Sequence, residues 1–286
     1  MTYPYDASRA AVITPARGAT FFPSGRPKSE AALCAELSRL SYAAFDCDGE
    51  ARREVESQLK RVGFSICYFF STGGTQAFLA CDTANALSVL VFRGTETKRV
   101  DWVTDLQAWP CAWPEGGRVH TGFAEALALV WKDLEPHLTD LRGRRLYTGH
   151  SLGAALATLA ASRRAPDALY TFGSPRVGND DFIKTLGKVE SHRYTNCCDL
   201  ICRIPPDVFG YKHFGSLMYI DRKGVVHTER EYSEGRLDRL GARVAYTVRW
   251  AWRWGTMWTR DLADHAPVNY FSALSEKSEK TERTDR

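Results

Sequence analysis

The chain of 286 residues is long enough for one large α/β domain or two small ones, and 44% hydrophobic residues supply a buried core. Its 38 basic and 34 acidic residues are interspersed and leave a net charge of +4, so no nucleic-acid partner is predicted. No secretory signal and no apolar run of transmembrane length is apparent, and the eight irregularly spaced cysteines are interpreted as reduced, mostly buried thiols. These features predict a cytoplasmic or peripheral membrane location, with secretion by a signal-independent route as the alternative.

The chain divides into three parts. Residues 1–27 hold four prolines and little periodicity, which predicts an extended N-terminal arm, and 28–274 is predicted as a single domain. Residues 275–286 contain no apolar side chain and are predicted as a disordered charged tail.

Apolar spacing predicts the elements of the domain in chain order. They are helices at 29–45 and 50–62, strands at 64–71, 76–81 and 87–92, a helix at 123–141, a strand ending before Ser151, a strand at 168–172, a helix at 180–186 and a strand at 192–195. The alternation of strands and helices in the second half predicts an α/β fold with a mostly parallel central sheet.

The pentapeptide Gly149-His150-Ser151-Leu152-Gly153 stands between an apolar run and a helix-forming run. Glycines on both sides of a serine permit a sharp strand-to-helix turn that exposes the hydroxyl. The bare pattern is weak, but its position between strand and helix makes Ser151 a candidate nucleophile.

A serine nucleophile needs a histidine base and an orienting carboxylate, which follow in the order Ser, Asp, His in this class of fold. Of the histidines after Ser151, His265 alone lies in a late loop between an aspartate and a helix. Asp199 follows a predicted strand and is the candidate acid, with Asp207 as its competitor.

Six motifs occur in order along the chain. They are Phe92-Arg93-Gly94-Thr95, His120-Thr121-Gly122-Phe123, Gly149-His150-Ser151-Leu152-Gly153, Thr171-Phe172-Gly173-Ser174-Pro175-Arg176-Val177-Gly178-Asn179, Asn196-x-x-Asp199 with Pro205, and Asp264-His265-x-x-Val268-x-Tyr270. Together they resemble the class 3 lipases, the fungal-type triacylglycerol lipase family. The resemblance implies an α/β-hydrolase fold with helices flanking the sheet and a lid helix, and it implies Ser151 as nucleophile, Asp199 as orienting acid and His265 as base.

The same resemblance implies an oxyanion hole made by Thr95 and by the backbone N–H of Leu152. It places a mobile lid between Thr95 and His120 and gives Trp102 and Asp105 a supporting role there. Trp102 and Asp105 lie one residue further from Thr95 than the family pattern places them.

Tyr246, Trp250, Trp254 and Trp258 recur at four-residue spacing, which predicts that they line one face of a helix. Two interpretations stay open for this face: burial in the core, or contact with a lipid interface through Trp250, Trp254 and Trp258. Interfacial activation through the lid is a further hypothesis.

The resulting hypothesis is a serine ester hydrolase that cleaves acylglycerol esters through an acyl-enzyme on Ser151. His150, Trp102 and Trp258 are the candidate substrate contacts. A lipid or ester is the only partner expected, with no cofactor, no metal and no protein partner. An esterase for non-lipid esters, a phospholipase A1 and a catalytically silent lipid-binding module are the alternatives.

Overall fold

A computed structural model of the chain describes residues 3–43, 49–95, 109–139, 141–228, 235–250 and 252–284, with side chains as far as 275. Its helices are α1 (Arg9–Ile13), α2 (Glu30–Leu40), α3 (Gly49–Arg61), α4 (Thr121–Leu134), α5 (Leu152–Arg163), α6 (Asp180–Thr185), α7 (Arg236–Arg249), α8 (Arg260–Ala263) and α9 (Pro267–Thr284). Its strands are β1 (Ser65–Thr72), β2 (Thr75–Asp82), β3 (Leu87–Phe92), β4 (Pro110–Ala112), β5 (Arg118–His120), β6 (Arg144–His150), β7 (Ala168–Phe172), β8 (Glu190–Asn196), β9 (Ser216–Ile220) and β10 (Val226–His227).

The main sheet has the strand order β1-β2-β3-β6-β7-β8-β9-β10. Neighbouring strands from β3 to β9 are parallel, whereas the pairings β1–β2, β2–β3 and β9–β10 are antiparallel. This confirms the predicted mostly parallel central sheet of an α/β fold. The predicted lid stretch, 96–109, lies outside the described residues except for Trp109, which is exposed.

β3 lies in the interior of the sheet, where both faces are covered, so all six of its residues are buried and five of them are apolar. Val89 and Val91 pack with residues of α2 and α3, while the alternate Leu90 and Phe92 pack with residues of α4 and α5. Two hydrophobic layers therefore fix the sheet between helices.

The carboxyl ends of four parallel strands lie side by side. Phe92 of β3 pairs with Gly149 of β6, and Phe172 of β7 pairs both with His150 of β6 and with Tyr194 of β8. Ligand sites of open α/β sheets form at this edge. The segments that follow these strands carry Thr95, Ser151, Gly173 and Asp199.

The N-terminal arm packs on the domain. Phe21 and Phe22 belong to the same core cluster as α2, and the Tyr5 hydroxyl donates a 2.8 Å hydrogen bond to Asp264. Residues 3–27 therefore contribute to the core, which begins earlier in the chain than the predicted domain start at Lys28.

The Trp-rich segment after α7 does not continue as a helix. α7 ends at Arg249, after which the Met257 N–H donates to the Ala7 carbonyl and the Arg9 N–H donates to the Gly255 carbonyl, each at 2.8 Å. Hydrogen bonding to the arm thus replaces the helical ladder that the aromatic spacing predicted.

The predicted single aromatic face is therefore wrong. Tyr246 is buried and Trp250 is half-buried, whereas Trp254 is fully exposed and Trp258 is 73% exposed. Burial in the core fails as an interpretation for Trp254 and Trp258.

At the C-terminus the backbone of α9 is helical through Thr284, where the sequence predicted a disordered tail from Ser275. The glutamates, lysines and arginine of this stretch are good helix formers, which accounts for the difference.

The interpretation of the cysteines as reduced thiols is also corrected. Cys67 and Cys81 form a disulfide between β1 and β2, and Cys67 lies at a register shift in that pairing. Sequence spacing alone carries no information on such a register. The free cysteines among the described residues are Cys34, Cys111, Cys197, Cys198 and Cys202.

Within the described ranges, no helix combines the length and the apolar character that crossing a bilayer requires.

Candidate active site

Ser151 alone separates β6 from α5 and adopts φ 59° and ψ −126°. A positive φ is strained for a residue with a side chain and is typical of functional turns. A Cβ on Gly149 would lie 2.2 Å from the carbonyl carbon of Gly153, and one on Gly153 would lie 2.2 Å from the carbonyl oxygen of Phe92. Both positions therefore require glycine if Ser151 is to hold this conformation.

His265 lies between Ser151 and Asp199. Its Nε2 is 2.9 Å from Ser151 Oγ, and its Nδ1 is 2.9 and 3.1 Å from the two carboxylate oxygens of Asp199. All three residues are buried. Because the carboxylate accepts from Nδ1, the hydrogen-bond pattern assigns the neutral ring's proton to Nδ1 and leaves Nε2 as the acceptor facing the serine hydroxyl.

The structure thus brings together the three residues that the sequence placed in order. The competing Asp207 is exposed and lies in a later 3-10 turn, Asp207–Phe209.

Two further groups hold the Asp199 carboxylate. The Tyr270 hydroxyl donates to Oδ2 at 2.5 Å, and the Ile201 backbone N–H donates to Oδ1 at 2.9 Å. The backbone of Gly173, with φ +59°, lies close to both side chains, because a Cβ there would lie 3.0 Å from Asp199 Oδ2 and from His265 Nδ1. The carboxylate and the ring are therefore fixed from several sides.

His150, a predicted substrate contact, is buried beside His265, and the two ring centroids are 4.5 Å apart. Its Nδ1 lies 2.7 Å from the Tyr42 hydroxyl. Burial, with a smaller contribution from His265, lowers the pKa of His150 well below 6.5, so this ring is neutral. This position beneath His265 fits a supporting role, and contact with substrate stays a prediction.

Thr95 and Leu152 line one cavity of about 180 Å³, together with Arg93 and Leu156. Leu152 is the first residue of α5, where backbone N–H groups have no partner within the helix. Gly94 permits the approach of the β3 end, because a Cβ there would lie 2.0 Å from the Tyr42 hydroxyl. This arrangement can present two donors to one carbonyl oxygen.

The structure does not place the other predicted site residues, Trp102, Asp105 and Trp258, beside the Ser151–His265–Asp199 group. Trp102 and Asp105 lie outside the described residues, and their roles stay predictions. Trp258 lies on the surface, with the Arg9 guanidinium 5.6 Å from its ring centroid.

Sequence reasoning gave no role to Tyr270, Gly173 or Tyr42. Tyr270 and Gly173 lie within two of the motifs that carry the family resemblance, so their position could have indicated a role in the site. Tyr42 is 108 residues from its partner His150 in the sequence, and no local pattern predicts that contact.

One further cluster of polar groups lies nearby. The side chains of Cys197, Cys198 and Asp264 place potential metal-ligand atoms within 4.8 Å of one another. The Asp264 carboxylate already accepts from Arg260 Nε, from the Tyr5 hydroxyl and from the Cys198 N–H. These hydrogen bonds explain the cluster as a structural network.

The family model described as "Lipase (class 3)" matches residues 89–209. The secreted mono- and diacylglycerol lipase 1 of Fusarium solani is 36% identical over 161 residues, which cover 52% of this chain and 48% of that protein. The chain spans about half the length of the curated relatives that it matches.

Solved lipase structures are similar to this chain as well. A variant of MDLA from Penicillium cyclopium is 30% identical, with coverage of 66% of this chain and 76% of that chain and a TM-score of 0.50. The triacylglyceride lipase of Rhizomucor miehei is 27% identical, with the same coverage and a TM-score of 0.53. The chain belongs to the class 3 lipase family.

These relatives correct the predicted location. The matching lipases of Fusarium solani and Penicillium cyclopium are named as secreted proteins, so the prediction of a cytoplasmic or peripheral membrane protein is wrong. That prediction depended on reading the cysteines as reduced, whereas Cys67 and Cys81 form a disulfide.

Proposed function

We propose that this protein is a serine ester hydrolase of the lipase type that cleaves acylglycerol esters. The observation that carries the proposal is the buried hydrogen-bond chain in which His265 links Ser151 Oγ to the Asp199 carboxylate. Family membership and the names of the matching lipases support acylglycerols as the substrate class.

In the first half-reaction, Ser151 Oγ attacks the ester carbonyl carbon while its proton passes to His265 Nε2. Asp199 stabilises the imidazolium that forms, through the hydrogen bonds at Nδ1. The Leu152 N–H and Thr95 donate to the oxyanion. The leaving alcohol then takes the proton from Nε2, and the acyl group remains on Ser151.

In the second half-reaction, a water molecule gives a proton to His265 Nε2 and its oxygen adds to the acyl carbonyl. Collapse of this intermediate returns the proton to Ser151 Oγ and releases the fatty acid. The same two side chains serve both halves, which is why their 2.9 Å separation matters.

Hydrolysis rates on three kinds of ester test the substrate class. The set is a series of p-nitrophenyl esters of increasing chain length, emulsified mono-, di- and triacylglycerols, and phosphatidylcholine. We expect acylglycerols to be the best substrates. Activity confined to short p-nitrophenyl esters would identify an esterase, and a preference for phosphatidylcholine would identify a phospholipase A1.

The proposal extends to the physical form of the substrate, since acylglycerols are presented at a lipid–water interface. The exposed Trp254 and Trp258 support contact with such an interface, whereas the half-buried Trp250 contributes less. Activation at the interface predicts a sharp rise in rate when a short-chain ester exceeds its solubility limit.

A further inference from the structure

Helix α7 presents an apolar stripe to solvent. Leu237, Leu240, Val244 and Val248 are 82, 59, 57 and 72% exposed. At about 100° per residue, these four side chains fall within about 80° of one helix face. Trp252 extends the stripe, because its indole N–H donates to the Val248 carbonyl at 2.9 Å.

The opposite face attaches α7 to the domain. Ala242 and Tyr246 are buried, and the Tyr246 hydroxyl donates to the Met257 carbonyl at 2.7 Å. Asp238 accepts from the Tyr219 hydroxyl at 3.0 Å. The helix is therefore held by its polar and small residues, with its apolar stripe facing outward.

Trp254 and Trp258 follow Trp252 in the segment after α7 and add exposed apolar area, at 103 and 73% exposure. Contiguous exposed apolar surface on a folded protein marks an interaction site, and indole rings favour the headgroup depth of a lipid layer. We call this region, the α7 stripe with Trp252, Trp254 and Trp258, the docking surface.

Exposed arginines accompany the docking surface: Arg236 and Arg249 on α7, and Arg253 in the segment after it. Residues 236–264 contain six arginines and three aspartates, a net charge of +3, and two of these arginines, Arg243 and Arg260, pair with Asp261 and Asp264. On the helix, Arg236 lies on one flank of the stripe, and Arg249 lies about 100° beyond Val248 on the other side. An apolar stripe between cationic flanks is typical of helices that lie in the interface of an anionic lipid layer.

A cavity of about 310 Å³ adjoins the C-terminal end of α7. Its lining includes Arg222, Lys223, Arg249, Arg260, Tyr5 and Trp250. Arg222 and Arg260 form ion pairs with Asp238 and Asp264. Lys223 and Arg249 are exposed, and no ion pair joins either to a carboxylate among the described residues.

The docking surface also lies near the reactive edge of the sheet. Ala242 of α7 packs with Cys197 and Cys198, which follow the carboxyl end of β8. Ser151 follows the carboxyl end of β6 at the same edge. α7 is therefore attached at the same edge of the sheet that carries the nucleophile.

We propose that the docking surface binds reversibly to an anionic phospholipid layer. The stripe and the tryptophans enter at the boundary between headgroups and acyl chains, and Lys223 and Arg249 receive the headgroup phosphates in the adjoining cavity. Reversible docking is compatible with a secreted protein. It does not depend on chemistry at Ser151, so it is testable separately from the proposed hydrolysis.

Co-sedimentation with vesicles of ether-linked phosphatidylglycerol or ether-linked phosphatidylcholine tests the proposal, because ether lipids contain no carboxylic ester to hydrolyse. We expect at least tenfold tighter binding to phosphatidylglycerol. The triple variant Leu237→Gln, Val248→Gln, Trp254→Ala is expected to lose at least tenfold in that affinity. Lys223→Gln with Arg249→Gln is expected to reduce it to the phosphatidylcholine level.

The single variant Trp254→Ala tests the docking surface even if the triple variant does not fold, because the Trp254 ring is fully exposed and its removal leaves the core unchanged. Tyr68→Ala is the matched control, because Tyr68 is an exposed aromatic residue on β1, at the opposite edge of the sheet from β9 and α7. All variants are expected to retain the wild-type rate on a soluble ester.

Equal sedimentation of wild type and triple variant would overturn the proposal, and so would equal binding to the two lipids. A concentration-dependent dimer that the triple variant abolishes, without vesicle binding, would also overturn it and would identify a second copy of the chain as the occupant. Docking that persists without any ester hydrolysis would count against the proposed function alone.

Discussion

The Tyr270 hydroxyl donates a 2.5 Å hydrogen bond to Oδ2 of Asp199, the same oxygen that lies 2.9 Å from His265 Nδ1. Both Tyr270 and Asp199 are buried, so water cannot replace the hydroxyl if it is removed. Tyr270 is therefore a positioning residue for the carboxylate that orients the base.

Tyr270→Phe is expected to lower kcat by about 10- to 100-fold with little change in KM, since a hydrogen bond to a charged group contributes about 1.5–3 kcal/mol. Steady-state kinetics on a soluble p-nitrophenyl ester measures this. Tyr147→Phe is the control, because Tyr147 is equally buried and its hydroxyl has no hydrogen-bond partner among the described residues. A kcat within twofold of wild type for Tyr270→Phe would contradict the positioning role.

Gly173→Ala is expected to lower kcat by about 100-fold or more, because the new methyl group would displace Asp199 or His265 from a tightly fixed geometry. Gly187→Ala separates this effect from backbone strain. Gly187 has a similar φ of +54°, but a Cβ there would meet nothing within 4 Å. Gly187→Ala therefore carries only the strain of an alanine at positive φ, about 1 kcal/mol, which Gly173→Ala carries as well. Similar activity losses in both variants would rule out a specific effect on the site.

Thr95→Val keeps the shape of the side chain but removes its hydroxyl. If that hydroxyl contributes to the oxyanion hole, kcat falls by about 10- to 1,000-fold while KM changes little, and Thr95→Ser restores most of the rate. Thr75→Val is the control, since Thr75 lines the same cavity. Equal rates for Thr95→Val and wild type would leave only backbone groups as donors.

Stability is expected to fall in mild acid because of two histidines, the buried His150 and the half-buried His213. Burial is the main cause that holds the pKa values of His150 and His213 well below 6.5, so the unfolded chain takes up protons that the folded chain does not bind. The stability from each neutral ring is present above about pH 6.5 and declines as the pH falls below that value. Between about pH 6.5 and 5.5, each ring accounts for about 1 kcal/mol of lost unfolding free energy.

Denaturant unfolding at these two pH values checks this expectation. His213→Gln keeps a donor for the Cys202 carbonyl, which His213 Nε2 contacts at 2.8 Å, and it is expected to reduce the loss by about 1 kcal/mol. An unchanged pH dependence in this variant would show that His213 is not the titrating group.

Sequence alone predicted the sheet type and the order Ser151, Asp199, His265. These features are local: the strand Ala168–Phe172 is short and largely apolar, Ser151 directly follows β6, and Asp199 comes three residues after the end of β8. The parallel register then brings the strand ends together without further information.

Features that depend on distant contacts were not predictable. The aromatic spacing after Arg249 fits a helix, but hydrogen bonds to Ala7 and Arg9 in the arm override it. The disulfide between Cys67 and Cys81 depends on a register shift in β1 that no spacing rule encodes. Tertiary contacts decided both outcomes, against local propensity.

Labelling with a fluorophosphonate probe, followed by mass mapping of the modified peptide, tests the central claim most directly. We expect a single adduct on Ser151, which disappears in Ser151→Ala and falls sharply in His265→Ala, because the base activates the hydroxyl that attacks the probe. An adduct on another residue, or labelling that persists in Ser151→Ala, would contradict the assignment of Ser151 as the nucleophile.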